Sequence, residues 1–142
     1  MPGLLVNIDV PDLRDGIAFY TDALGLRVGR RFASGGVVEL RGADAPIYLL
    51  EKAPGTPIGP TGDDTRRYRR HWSPVHLDFV VDDLDAAIAR ATRAGAVQEG
   101  ATSDAPYGRL ALFADPFGHG FCLVEFNPLG YDAIAEVTPR RS

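Results

Sequence analysis

Val10, Asp12, Leu13, Ile17 and Ala18 recur as Val81, Asp83, Leu84, Ile88 and Ala89, each pair 71 positions apart in a chain of 142 residues. A pattern that returns at half the chain length describes a duplicated supersecondary unit. The offset also assigns equivalent positions in the two halves. Leu5 answers to His76, Asn7 to Asp78 and Asp9 to Val80.

In each copy an alternating segment leads into a helix. Leu4, Val6, Ile8 and Val10 alternate with Leu5, Asn7 and Asp9, and Leu77, Phe79 and Val81 alternate with His76, Asp78 and Val80. That period of two marks strands buried on one face. Asp12 and Asp83 stand where a short carboxylate accepts the free amide hydrogens of a first helical turn, and Gly25 and Gly95 supply left-handed stops. The spacing of Leu13, Ile17, Tyr20 and Leu24 predicts a helix over 13–24, and Leu84, Ile88 and Ala91 predict its counterpart.

Three strands are predicted after the first helix, at 26–32, 37–41 and 47–51, and three after the second, at 97–99, 110–114 and 121–126. Asp115-Pro116-Phe117-Gly118 forms a tight turn between the last two. The chain therefore reads as α+β: two tandem β-α-β-β-β modules, 4–51 and 75–126, in one domain. A linker, 52–74, joins them. A tail, 127–142, adds one helical turn near Tyr131 and then a polar end expected to fray.

Composition narrows the function classes. Hydrophobic residues at 45% and charged residues at 24% are typical of a globular domain, and no apolar run approaches the roughly 20 residues needed to cross a bilayer. No membrane partner is expected. No basic segment followed by a long apolar one is visible at Met1-Pro2-Gly3-Leu4, so the cytoplasm is the default location. Cys122 is the only cysteine, which excludes an internal disulfide. A net charge of −4 argues against a nucleic-acid surface and suits a cationic ligand as readily as it serves solubility.

The linker breaks this pattern. It is rich in Pro, Gly and Thr and then turns basic at Arg66-Arg67-Tyr68-Arg69-Arg70-His71-Trp72. Two readings stay open: a lid or anion-binding arm over a pocket, or a solvated connection whose Tyr68 and Trp72 pack on the body or on a partner subunit.

The two β-α-β-β-β units, Phe19-Tyr20-Thr21-Asp22-Ala23-Leu24-Gly25-Leu26 and Asp115-Pro116-Phe117-Gly118-His119-Gly120-Phe121 together resemble the vicinal oxygen chelate superfamily. That is the fold of glyoxalase I, bleomycin-resistance proteins, fosfomycin-resistance enzymes and extradiol dioxygenases. The resemblance covers 4–126. It implies curled mixed sheets forming a cup that binds a small organic molecule, and a homodimer. The metal-ligand positions it implies are Leu5, Tyr48, His76 and Cys122. Only His76 keeps the usual residue type, so the usual histidine and glutamate set is absent and no metal is predicted. A rebuilt site would use His76 and Cys122, whose softness suits zinc, with Asp78 or Asp9 adding a carboxylate.

Strand parity places Leu5, Asn7, Asp9, Tyr48, Leu50, His76, Asp78, Cys122, Val124 and Phe126 on the inner face, with Glu39, Tyr107 and Arg109 as further candidates. Polar groups there are costly unless paired or used. A structural network among Asn7, Asp9, His76 and Asp78 is one reading. In a second, Asn7, Asp9, Tyr48, Trp72, Arg109, Cys122 and Phe126 bind a ligand that is sequestered intact, as bleomycin-resistance proteins do. In a third, His76 is a general base oriented by Asp78 or Asp9, and Arg109 stabilises a developing oxyanion in lyase or isomerase chemistry beside a carbonyl. A dioxygenase fits less well, and a purely structural partner domain has little positive support.

Overall fold

Both predicted helix caps form. Asp12 and Asp83 are extended residues whose carboxylates accept from Asp15 N at 3.0 Å and Ala86 N at 3.1 Å. They open helix α1, Leu13–Leu24, and helix α2, Leu84–Ala94, and Gly25 and Gly95 close them with φ of 69° and 114°. Each helix start is also tied to the last strand of its own half. Leu13 N donates to Glu51 at 2.8 Å and Leu84 N donates to Glu125 at 3.0 Å. A carboxylate at that point satisfies an orphan amide and favours the positive end of the helix dipole.

The computed structural model describes residues 1–137. The first half forms β1 (Val6–Val10), α1, β2 (Arg27–Arg31), β3 (Val37–Arg41) and β4 (Ile47–Glu51). Its sheet runs β1-β4-β3-β2, with β1 and β4 parallel. The second half forms β5 (Leu77–Val80), α2, β6 (Val97–Gln98), β7 (Ser103–Ala105), β8 (Gly108–Ala114) and β9 (Gly120–Phe126). Here the order is β5-β9-β8-β6, with β5 and β9 parallel and β7 folded back on β8. Strand β7 was not expected, because Ser103-Asp104-Ala105 carries no apolar alternation and pairs only as one arm of a hairpin. A short 3-10 turn, Gly130–Ala133, follows. The expected fraying of the last residues falls at 138–142, outside the described residues.

The register upholds the equivalence of the halves. Asn7 pairs with Tyr48 as Asp78 pairs with Cys122. Strands β1 and β5 are the ends of their sheets, and both line one cavity of about 370 Å³. The two edge strands face one another across this cavity, and α1 packs beside α2 on the apolar side. Val10, Leu49, Leu84, Phe113 and Leu123 are fully buried in one continuous core.

One buried carboxylate joins the halves. Asp115, in the β8–β9 turn, accepts a hydrogen bond from the Tyr20 hydroxyl on α1 and two more from Phe117 N at 2.8 Å and His119 N at 2.9 Å. Phe19 packs edge-on against Phe117 and Phe121 beside it. Burial, with the charge of Asp115 and their hydrogen bond, pushes the Tyr20 phenol well above its ordinary pKa of 10.0.

The 52–74 segment has no regular structure beyond a single bridge between Pro57 and Thr65, yet it is packed on the body. Arg66 Nε donates to Asp9 at 2.7 Å, Tyr68 donates to Lys52 O at 2.6 Å and Arg70 Nε donates to Glu99 at 2.7 Å. Its backbone lies on Gly118, where a Cβ would fall 2.3 Å from the Arg69 carbonyl. Tyr68 packs on the body, and Trp72 is 83% exposed on the single chain.

Two substitutions test the Asp115 junction by urea unfolding. Tyr20→Phe should cost about 1–3 kcal/mol by leaving the carboxylate short of a donor, and Asp115→Ala, which orphans three donors, about 3 kcal/mol or more. The stabilisation from the phenol is complete below pH 10, where it is protonated in both states. Above that, the unfolded chain loses the proton first, so stability falls as pH rises toward the folded pKa. Tyr20→Phe should flatten that alkaline decline.

Candidate functional site

The concave face of the second half gathers three chemically active side chains. His76 lies just ahead of β5, Asp78 two residues on, and Cys122 opposite Asp78 on parallel β9. His76 Nε2 is 3.2 Å from Asp78 Oδ1, and the donor atoms of all three lie within 4.8 Å of one another. His76 and Asp78 are open to solvent and Cys122 is buried. Desolvation, then the charge and hydrogen bond of Asp78, push the Cys122 thiol up to about 11. At neutral pH it is a protonated thiol. His76 and Cys122 line a hollow of about 140 Å³, with Trp72 and Leu112 among its other walls.

The first half shows the same frame filled differently. Glu39 on β3 pairs with Tyr48 in register and is completely buried. It accepts from Arg30 at 2.6 Å, Arg41 at 2.9 Å and Tyr48 Oη at 3.0 Å. These donors, Arg30 foremost, hold its carboxyl far below the usual carboxylate range despite burial. Tyr48 also accepts from Arg30 at 3.0 Å, and Phe32 lies beneath that guanidinium. Asp9 is likewise committed: its carboxylate to Arg66, its carbonyl to the His119 ring at 2.7 Å. Asn7 is exposed and lines the cavity between β1 and β5.

Several predicted residues lie apart from the His76 group. Arg109 pairs in register with Glu125, one step out of phase with Cys122 and Val124, and so faces the helix side. There it binds Asp85 on α2 at 3.0 Å, which raises its pKa, and Asp104 at 3.7 Å. The expected inward position of Arg109 is therefore corrected. Phe126 has the inner phase, but its ring is covered by Tyr131 at 4.8 Å and Tyr107 at 6.1 Å. Leu5 precedes β1 and is 61% exposed. The sequence alone assigns no role to His119, Arg30 or Arg41; Arg30 on β2 and Arg41 on β3 meet at Glu39 only once the strands pair.

A family profile described as a glyoxalase-like domain matches residues 5–124. The chain belongs to the glyoxalase-like domain family. Its fold is that of the vicinal oxygen chelate superfamily. Among curated relatives, the anthracycline biosynthesis protein DnrV of Streptomyces peucetius is 36% identical over 85% of this chain. The chain spans about two fifths of the length of that relative, 41%. Among solved structures, TnmS3, an antibiotic binding protein from Streptomyces sp. CB03234, aligns with a TM-score of 0.62 at 25% identity, covering 89% of this chain and 97% of that one. FosX, a fosfomycin resistance protein from Listeria monocytogenes, aligns with a TM-score of 0.67 at 19% identity, over 91% and 94% of the two chains. A FosX variant structure holds Mn(II).

Within this glyoxalase-like fold, the first half does not offer the ligands its position implies. Leu5 has no donor atom, and the Tyr48 hydroxyl is engaged by Glu39 and Arg30. The donors that fit a divalent ion are His76, Asp78 and Cys122, an imidazole, a carboxylate and a thiol whose softness suits zinc over manganese.

Alkylation by iodoacetamide checks the thiol environment. In metal-free protein the rate for Cys122 should climb with pH until about 11. Asp78→Asn removes a negative neighbour, so the variant should react several-fold faster at pH 8. An unchanged rate would mean that burial alone sets the thiol's acidity.

Proposed function

We propose that this glyoxalase-like chain is a small-molecule-binding domain whose ligand sits on the concave face around His76, Asp78 and Cys122 and leaves chemically unchanged. The observation that carries this reading is the convergence of these three groups beside an open, partly apolar hollow, which His76 and Cys122 line together with an exposed indole. Small-molecule sites combine an apolar lining with a few converging polar groups in this way. The relatives support the ligand class: DnrV is named for anthracycline biosynthesis and TnmS3 as an antibiotic binding protein, and for this chain we take a polycyclic aromatic natural product of the anthracycline kind. Asp78 would neutralise a cationic or hydrogen-bond-donating substituent, His76 would share that hydrogen bond, and Trp72 would stack on the rings. Asn7, Asp9, Tyr48 and Phe126 stay at the margins of this reading, since Asp9, Tyr48 and Phe126 already have partners. The pairing of two copies is part of the same reading.

An anthracycline provides the test. It should raise the melting temperature of the wild-type protein by several degrees and be recovered intact by chromatography. His76→Ala and Asp78→Ala should each weaken binding about tenfold. No thermal shift, or a shift untouched by both substitutions, would remove the proposal.

A second reading is lyase or isomerase chemistry beside a carbonyl, favoured by the 3.2 Å contact between His76 and Asp78. There His76 takes the proton and Asp78 orients the ring. With Arg109 bound to Asp85, an oxyanion would need another partner. In a metal-dependent form of this reading, His76, Asp78 and Cys122 would hold a divalent ion that polarises the carbonyl, and a group other than His76 would take the proton. Tag-free protein with near-stoichiometric zinc, lost in both His76→Ala and Cys122→Ala, would support this reading, and a chemically altered ligand would establish turnover.

A further inference from the structure

The basic segment between the halves encloses a cavity of about 710 Å³, larger than the hollow over His76 and Cys122 and sharing only Arg70 and Trp72 with it. Four arginines line it, Arg66, Arg67, Arg69 and Arg70, against two carboxylates, Asp9 and Asp64. In a chain of net charge −4 this is a concentrated positive region.

The arginines divide by what holds them. Arg66 is fastened to Asp9 and Arg70 to Glu99, each at 2.7 Å, and both anchor the segment to the body. Arg67 meets Asp64 only at 3.6 Å and at the surface. Arg69 has no carboxylate within ion-pairing distance among the described residues, although its backbone is pinned on Gly118. A free guanidinium on a fixed backbone keeps its fork of donors available, and that fork matches a carboxylate or phosphate.

Two histidines border the cavity. The His71 Nδ1–H is bound to the Arg69 carbonyl at 2.9 Å and the His119 Nε2–H to the Asp9 carbonyl at 2.7 Å. Each ring is thereby oriented with its second nitrogen unpartnered among the described residues, and the rings lie 5.4 Å apart. Beside them stands Trp72, 83% exposed. An indole left in water beside guanidinium groups is suited to stack on a flat ring.

We propose that this cavity is a second ligand site, selective for a planar aromatic anion, an aryl phosphate or aryl carboxylate. Arg69 grips the oxyacid group, His71 and His119 adjoin it, and Trp72 stacks on the ring. The site shares Trp72 with the reading of the His76 face, and Arg69, which borders this cavity and not that hollow, distinguishes the two.

Trp72 is the only tryptophan, so intrinsic fluorescence reads the site directly. Phenyl phosphate added to the full chain should change Trp72 emission saturably, and benzoate should do so more weakly. Inorganic phosphate, lacking a ring, should displace phenyl phosphate only at much higher concentration. Arg69→Ala should weaken phenyl phosphate binding at least tenfold, while Arg14→Ala, an equal loss of charge on the exposed face of α1, should leave it unchanged. Arg69→Lys should lie between them, because charge without the fork recovers only part of the contact. The proposal is overturned if emission is unaffected, if the two alanine variants weaken binding equally, or if benzyl alcohol matches phenyl phosphate.

Discussion

The buried Asp115 carboxylate is the junction on which the arrangement depends. It lies almost wholly out of water, and an ionised carboxylate there persists only when its oxygens are supplied with donors. Those donors come from two halves of the chain: the Tyr20 hydroxyl from α1, and the Phe117 and His119 amides from its own turn. The turn is thereby held rigid at the start of β9. Because β9 pairs residue for residue with β5, a fixed start to β9 fixes Cys122 against Asp78. The same turn presents Gly118 as the bare backbone on which the basic segment rests. A change at Asp115 would reach the His76 face and the arginine cavity together.

The two halves share a frame and diverge in what fills it. In each, a capping aspartate and a glutamate from the last strand hold the helix start, and in each the first strand runs parallel to that last strand. The concave face of the first half then closes on itself. Two arginines and a tyrosine saturate Glu39, so that surface is a finished network. Leu112 takes the corresponding place beside Cys122 in the second half, an apolar residue that makes no demand on its neighbours. His76, Asp78 and Cys122 are left with only one another, and a polar group whose partner is solvent or a ligand is what a binding surface requires.

Much of this frame could be read in the sequence because it rests on local rules. The caps, the left-handed glycines and the alternation that separates Asp78 from Phe79 follow from chemistry within a few residues. The repeat then transferred each conclusion to the other half. What could not be read were contacts between segments distant in sequence. Asp9 meets Arg66 across 57 positions and Tyr20 meets Asp115 across 95, and no local pattern announces either. Arg109 stands just ahead of the strand predicted at 110–114 and is only a further candidate for the inner face; β8 begins at Gly108, and pairing with Glu125 sends Arg109 to Asp85. Strand β7 was missed because hairpin pairing, and no hydrophobic face, holds it.

The basic segment shows how such distant contacts create a feature no local pattern describes. Its ion pairs are partly exposed, and pairs of that kind contribute about 0–1 kcal/mol each. They cannot hold twenty irregular residues by themselves. The segment stays in place because backbone packing on Gly118, the packing of Tyr68 against the core and the seat of Arg66 on Asp9 act together. Asp9 is the point where this matters for the rest of the molecule. It belongs to β1, faces the concave side, and borders both the arginine cavity and the space between β1 and β5. Whatever draws Arg66 away uncovers a carboxylate on the inner surface, and whatever seats Arg66 more firmly neutralises it. The charge presented toward the cup is therefore set in part by a segment that contributes no strand to it.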